Sequence, residues 1–274
     1  MSFILNAFWV AIVVAFFSCN NADEVRSSPV VAASSSPSKT GSAEKKIIDS
    51  IVYDEYIYPC DTTYPARLLV PGNFHEDEVE ENAAKEKWMG VFKCRKSYYV
   101  AKAAIETSRI NDIVDEPDQQ TGWHVKVLHA DTALFIVSGI DLAPGKVRDI
   151  QFPEYVWPGD SVVFEYNGKG YKLFAKGNKE LASTGWYNVW NYKLYLTRVE
   201  AGKENTELLV SQPNFSDAMT SVLFVGDVDG DGYIDLLLDT SRHYNMQSHT
   251  LYLTKPAEDG KIFKVVARHI TTGC

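Results

Sequence analysis

The segment GDVDGDGYID, residues 226–235, places four aspartates within nine positions and sets glycines between them. Carboxylates this close repel one another unless a proton or a cation neutralises them. The sequence on both sides is apolar, with VLFV before the segment and LLLD after it. Short apolar runs bounded by glycine-rich turns are typical of β-strands. The segment therefore predicts a hairpin whose turn either lies in solvent or holds a cation.

The spacing of the acidic residues favours the cation. Four aspartates occupy positions 1, 3, 5 and 9 of the pattern D-x-D-x-D-G-x-x-D: Asp227, Asp229, Asp231 and Asp235. The first three side chains of such a loop converge on one point, and the main-chain carbonyl of Tyr233 at position 7 is a further donor. Calcium accepts about six to eight oxygen ligands and suits this arrangement, with Asp235 binding directly or through water. The sequence thus predicts a Ca²⁺ cofactor.

The same segment is not an EF-hand. That motif requires a bidentate glutamate at position 12, where this chain has Leu238, and helices on both sides of the loop. Residues 222–254, with the core GDVDGDGYIDLLL, instead resemble the calcium loops of FG-GAP or VCBS repeats in integrin-type β-propellers. The resemblance implies side-chain ligation by the four aspartates, main-chain ligation by Tyr233, and a structural calcium ion that fixes the hairpin.

Strand signals dominate the remainder of the globular sequence. Residues 88–107 predict two strands joined by a polar turn at 95–97, and Asn-Gly-Lys-Gly in residues 161–177 is a strong hairpin signal. The acidic stretch HEDEVEENAAKEKW has no apolar stripe and is either a helix or an exposed loop. We expect a mainly β, antiparallel domain over residues 46–274, built as a sandwich or as a partial or small propeller.

Two stretches of the chain have similar patterns. VVFEYNGKGYKLFA is followed by NYKLYLTRVEAGK, and VLFVGDVDGDGYIDLLLD is followed by SHTLYLTKPAEDGK, at a separation of roughly sixty residues. The similarity indicates either a duplicated β unit or a coincidence between short strands. In the first copy, Asn167 and Lys169 stand where Asp229 and Asp231 stand in the second. The first copy therefore has too few anionic ligands for calcium and adds a positive charge.

The N-terminal region predicts export. The apolar run from Phe3 to Phe17 has the length of a signal-peptide core, and the Phe-Phe-Ser-Cys sequence after it resembles the lipobox of bacterial lipoproteins. The resemblance implies a signal peptide over residues 1–18 and an acylated Cys19. A plain cleaved signal or an N-terminal membrane anchor are the alternatives. Residues 19–45 are rich in Ser, Pro and Ala and predict a flexible tether.

Charge and cysteine content narrow the partners and the compartment. The formal net charge of −9 disfavours nucleic acids and anionic lipid surfaces, which require basic patches. If Cys19 is lipidated, three cysteines remain, and an exported chain favours one disulfide among them. The sequence does not choose among the three pairings of Cys60, Cys94 and Cys274. We expect contact with the membrane through the lipid anchor only.

Two further segments contain residue types that often contact ligands. Residues 240–250 include His243, Asn245 and His249, which either face a ligand or second metal or are simply solvated. Residues 185–192 gather four aromatic side chains that bind sugars or peptides when exposed, although alternating residues of a strand favour core packing here. These aromatic residues are Trp186, Tyr187, Trp190 and Tyr192.

Two functions fit these observations. The first is a membrane-anchored, calcium-stabilised binding module of the bacterial cell envelope, an outer-membrane lipoprotein that presents loops to a protein or glycan partner. The second is a secreted or envelope hydrolase with a structural calcium site. The chain has no G-x-S-x-G, H-E-x-x-H or phosphate-binding glycine loop, so the sequence favours the binding module and names no catalytic residue.

Overall fold

The computed structural model of the chain describes residues 30–32, 57–59, 64–116 and 119–273. These residues form strands and a single 3₁₀ turn at Ala83–Lys85, with no α-helix among them, which confirms the mainly β class. The strands are, in chain order, β1 Val30–Ala32, β2 Arg67–Leu69, β3 Gly72–Phe74, β4 Trp88–Cys94, β5 Ser97–Ala103, β6 Ile105–Ile110, β7 Gly122–Val127, β8 Thr132–Ser138, β9 Gly145–Val147, β10 Ser161–Tyr166, β11 Lys169–Leu181, β12 Tyr187–Glu200, β13 Lys203–Asn214, β14 Ser221–Gly226, β15 Asp235–Asp239, β16 Met246–Leu253 and β17 Lys264–Thr272.

The described strands form four antiparallel sheets. Sheet I has the order β2-β8-β4-β5-β9, and sheet II has the order β3-β7-β6. Sheet III has the order β1-β10-β11-β12-β13, and sheet IV is the meander β14-β15-β16-β17. Within the described residues, no helix has the length and apolar character needed to cross a bilayer.

Sheet IV lies between two hydrophobic cores. Leu236 and Leu238 pack into the core shared with sheet III, whereas Leu237 packs into the core shared with sheet I. All three side chains are buried. Successive residues of a strand point to opposite faces of the sheet, so both faces of β15 are covered. The continuous LLL run is therefore the pattern of a strand covered on both sides. A third core joins sheet I to sheet II around Phe92 and Ile136.

The two similar stretches fold with the same strand order. β10 to β13 in sheet III and β14 to β17 in sheet IV are both four-stranded antiparallel meanders. The predicted hairpin of the first copy is confirmed: Asn167 and Gly168 join β10 to β11 with φ angles of 47° and 72°, the conformation of a type I′ turn. In the second copy, the corresponding connection is the longer acidic segment between β14 and β15.

Three further predictions concern a hairpin, the acidic stretch before β4 and a disulfide. The hairpin predicted in residues 88–107 is confirmed as β4 and β5. The helical alternative for the acidic stretch is wrong, since only the 3₁₀ turn forms there. Cys94 is disulfide-bonded, which confirms that a bridge forms.

The predicted N-terminal segments lie mostly outside the described residues. This holds for the signal peptide over residues 1–18, for Cys19, and for most of the tether over residues 19–45. Within the tether range the structure describes β1, whose backbone pairs with the edge of β10 so that Val30 stands opposite Val163. The assignment of Cys19 as a lipidation site stays a prediction.

Candidate metal centre

The acidic loop is the connection between β14 and β15, residues 227–234. Gly226 and Asp235 are paired opposite each other, so the two ends of the loop are held at one position of the sheet. Gly230 and Gly232 have φ angles of 75° and 85°. This left-handed conformation costs little for glycine, so the alternation of Asp and Gly lets the backbone coil while the aspartates keep ordinary geometry. The local sequence thereby turns the carboxylates inward.

Three of the four aspartates come together. Asp227, Asp229 and Asp235 each place one carboxylate oxygen so that these atoms lie within 4.8 Å of one another. Asp235 is 0% exposed and Asp229 is 4% exposed, so two of the three charges are buried. Among the described residues this is the one group of three or more His, Cys, Asp or Glu side chains close enough to share an ion. The cluster can hold a metal ion.

Backbone amides orient the first two carboxylates. Asp227 Oδ1 accepts hydrogen bonds from the amides of Gly230 and Asp231 at 2.8 and 3.1 Å, and its Oδ2 accepts from Gly232 at 3.0 Å. Asp229 Oδ1 accepts from the Asp231 amide and its Oδ2 from the Lys255 amide, both at 3.2 Å. These donors are backbone amides, three within the loop and one at Lys255 after β16, and they fix the side chains. They carry no full charge, so they compensate the carboxylates only in part.

Asp235 and Asp231 are tied to the end of β16. Asp235 Oδ2 accepts from the amides of Val228 and Asp229 at 2.7 and 3.2 Å, while its Oδ1 accepts from the Thr254 amide at 2.9 Å. Asp231 Oδ2 accepts from Thr254 Oγ1 at 2.8 Å. The hydroxyl of Thr254 also lies 3.3 Å from Asp235 Oδ1. Thr254 therefore links the carboxylates of Asp231 and Asp235 to each other and to the end of β16.

Burial raises the pKa of the three converging carboxyl groups. Burial, with the neighbouring charge of Asp231, raises the pKa of Asp229 to about 6. Burial and the charge of Asp229 raise the pKa of Asp235 well above its ordinary value. The pKa of Asp227 is also raised, mainly by burial, although the amides of Gly230 and Gly232 oppose the effect. Shifts of this kind arise when like charges share a water-poor site without a compensating cation.

The predicted ligands divide into two groups. Asp227 and Asp229 come together as the pattern predicts, but the third carboxylate of the group is that of Asp235, where the pattern predicts Asp231. Asp231 lies outside that group, with its carboxylate engaged by Thr254 Oγ1 and by the amide of Tyr233 at 2.8 Å. Ligation by Asp231 and by the carbonyl of Tyr233 stays a prediction.

Sequence reasoning missed Thr254 as part of the site. It contributes both an amide and a hydroxyl to the acidic loop from a different strand end, which no local spacing reveals. The signal that could have found it is the repeated Leu-Tyr-Leu-Thr sequence, which ends at Thr197 in the first copy and at Thr254 in the second.

The histidine segment does not form a second metal group. His243 Nδ1 contacts the side-chain oxygen of Asn245, and its ring lies 4.5 Å from that of Tyr244. His249 lies on β16 opposite Asp239 and His269. Neither His243 nor His249 belongs to a group of potential ligands in the described chain.

The aromatic segment is divided between the core and the surface. Tyr192 is buried, and its hydroxyl donates to the carbonyl of Val156 at 3.0 Å, so core packing is confirmed for this residue. Trp186 and Trp190 are 41% and 40% exposed, so core packing is wrong for the two tryptophans. Trp186 lies in the turn that joins β11 to β12, and Trp190 lies at the end of the pairing between β12 and β13, opposite Asn214.

No protein-family model, curated protein or solved structure matched this chain in the three comparisons made.

Proposed function

We propose that the chain is a calcium-stabilised, β-rich binding module of the bacterial cell envelope. The observation that carries the proposal is the convergence of Asp227, Asp229 and Asp235. In the described part of the chain, only uncharged donors hydrogen-bond to these three carboxylates. A buried charge without an oppositely charged partner lowers the stability of the fold. A divalent ion supplies that partner at neutral pH.

The donor set favours calcium among divalent ions. The converging atoms are all carboxylate oxygens, with no nitrogen or sulfur among them. Zinc prefers nitrogen and sulfur ligands, whereas calcium and magnesium take oxygen. Magnesium usually keeps several waters and uses one or two carboxylates, so a loop with three converging carboxylates suits calcium better. The resemblance to FG-GAP or VCBS loops supports the same ion, and strands flank the loop as that resemblance implies.

The proposed role of calcium is structural. The loop closes the hairpin of β14 and β15, and both strands contribute buried side chains to the two cores on either side of sheet IV. Repulsion within the loop would push the ends of these strands apart. An ion that neutralises the loop therefore stabilises packing against sheets I and III together.

An aromatic cluster at the surface supports a binding role: Trp186 is exposed, and Tyr155, Trp157 and Tyr187 are half-buried against the core. Trp186 lies 5.3 Å from Tyr155 and 5.1 Å from Trp157, measured between ring centroids, and Trp157 lies 5.1 Å from Tyr187. Tryptophan and tyrosine are enriched in contact surfaces because they combine a large apolar face with a polar group. The cluster offers ring faces to a glycan or to a protein loop.

The proposed location follows from the N-terminal sequence. An acylated Cys19 would anchor the domain to the envelope, and residues 19–45 would act as its tether. The net charge of −9 disfavours attraction to nucleic acids or anionic lipid surfaces. The partner is accordingly an envelope or extracellular protein or glycan, with the membrane contacted through the lipid alone.

A binding assay tests the proposal. The full chain is applied to arrays of glycans and of envelope extracts, with calcium and with chelator, and soluble products are measured in parallel. The proposal predicts retention on a partner without product release, together with calcium-dependent thermal stability. Product release that persists at saturating calcium would contradict it and favour the hydrolase.

A further inference from the structure

The acidic loop of sheet IV is in contact with the tight turn of the preceding copy. Asn167 Nδ2 donates a hydrogen bond to the Gly232 carbonyl at 3.0 Å, and Lys169 Nζ lies 3.5 Å from the same oxygen. The partners are 65 and 63 positions apart in the chain. The turn that stands in place of the acidic loop in sheet III thus reaches the acidic loop itself.

The side chain of Asn167 is held in the orientation that this contact requires. Its Oδ1 accepts a hydrogen bond from Arg148 Nη1 at 3.0 Å, so Nδ2 is directed to Gly232. The guanidinium of Arg148 also lies over the ring of Tyr166, at 5.1 Å from the centroid. The main-chain carbonyl of Arg148 accepts a hydrogen bond from the amide of Asp227 at 3.4 Å. Arg148 and Asn167 together therefore contact both ends of the acidic loop.

The residue after Gly232 is also held by sheet III. Two cations contact the ring of Tyr233, with Lys169 Nζ at 4.1 Å and the Arg198 guanidinium at 4.7 Å from its centroid. Its hydroxyl donates to Glu200 at 3.0 Å. The peptide unit from Gly232 to Tyr233 is consequently fixed from outside the loop, at its carbonyl oxygen and through the following side chain. This unit directly precedes the carbonyl predicted to bind the ion.

We propose that the β10–β11 turn is part of the calcium site: Asn167 is a positioning residue that orients the Gly232–Tyr233 peptide, and Lys169 reduces calcium affinity by its charge. This inference rests on the proposed function. Calcium binding and docking of sheet III against the loop are then coupled, and the coupling acts in both directions.

Calcium titration of three single variants of the full chain tests the proposal. Asn167→Gly removes the side chain but keeps a residue that favours the positive φ of the turn. Loss of one hydrogen bond should weaken calcium binding by about threefold to tenfold. Lys169→Met removes a charge near the ion and should strengthen binding by about twofold or more.

Asn205→Ala is the matched control. Asn205 Nδ2 donates to the Gly260 carbonyl at 3.1 Å, the same kind of bond between sheet III and a glycine following β16, but away from the acidic loop. This variant should keep wild-type calcium affinity. A merely structural role of Asn167 would lower the melting temperature in chelator and leave calcium affinity unchanged, as for the control.

Hydrogen exchange supplies the reciprocal measurement. Calcium should slow exchange of the Gly168 and Lys169 amides in the wild type and should do so less in Asn167→Gly. Wild-type calcium affinity in both Asn167→Gly and Lys169→Met would overturn the inference and leave the calcium proposal standing. Absence of calcium binding by the wild type would instead refute the proposed function.

Discussion

Replacing Asp229 by asparagine should change stability in opposite directions without and with calcium. Asp229→Asn preserves the shape of the side chain and one acceptor oxygen while removing a charge that is only 4% exposed. In the metal-free protein that charge is opposed by burial and by Asp231. Removing it should stabilise the metal-free fold. In calcium the same change removes a proposed ligand, so the variant should gain little from the ion.

The magnitude follows from the pKa of Asp229. A rise from 3.8 to about 6 means that the ionised form costs about 3 kcal/mol in the metal-free fold, at roughly 1.4 kcal/mol per pKa unit. The unfolded chain ionises first, so metal-free stability falls as pH rises from about 4 to 6 and is then level. Asp229→Asn should recover up to about 3 kcal/mol at neutral pH, or roughly 6 to 12 °C in melting temperature for a domain of this size.

The assay is thermal unfolding at neutral pH in chelator and in calcium. For a site of about 10⁻⁴ to 10⁻³ M affinity, calcium at about 10 mM should stabilise the wild type by roughly 1 to 3 kcal/mol. Asp259→Asn, at an exposed turn outside the loop, is the control and should behave as wild type. The reasoning is refuted if Asp229→Asn melts below the wild type in chelator and still gains the wild-type increment from calcium.

Three further outcomes are expected. Thr254→Val removes the hydroxyl that donates to Asp231 and contacts Asp235, so it should lower the free energy of unfolding by about 1 to 2 kcal/mol and weaken calcium binding, as measured by urea unfolding and calcium titration. Burial lowers the pKa of His269 below 6.5, so the unfolded chain takes up a proton that the fold resists, and stability should fall as pH drops below about 6.5. His269→Gln should reduce this loss of stability, as measured by melting temperature at several pH values. An unchanged dependence of melting temperature on pH would contradict the attribution of the loss to His269. Trp186→Ala should abolish retention on the partner while leaving calcium-dependent melting unchanged, and retained binding would exclude the aromatic cluster as the contact surface.

Local chemistry was sufficient to predict the turns and the position of the acidic loop. Asn167 and Gly168 select a type I′ turn by their tolerance of positive φ, and alternation in the flanking residues sets the strands. The spacing of aspartates and glycines likewise predicts a cluster of carboxylates at this turn, although the structure groups Asp235 with Asp227 and Asp229 where the pattern predicts Asp231. Each of these features depends on a few neighbouring residues.

Features that depend on distant contacts could not be predicted. The burial of Leu237 against one sheet and of Leu236 against another results from the placement of sheet IV between two cores. The exposure of Trp186, in the turn before β12, depends on which parts of the chain pack against that turn. The bond from Asn167 to Gly232 requires two copies to pack with their turns adjacent. The spacing of residue types along the sequence contains no information about these long-range contacts.

Calorimetric titration of calcium into the full wild-type chain tests the neutralisation of the acidic loop most directly. We predict one ion bound per chain with a dissociation constant of about 10⁻⁴ to 10⁻³ M, accompanied by a higher melting temperature than in chelator. No heat of binding at millimolar calcium, together with identical melting with and without chelator, would contradict calcium as the partner of these carboxylates.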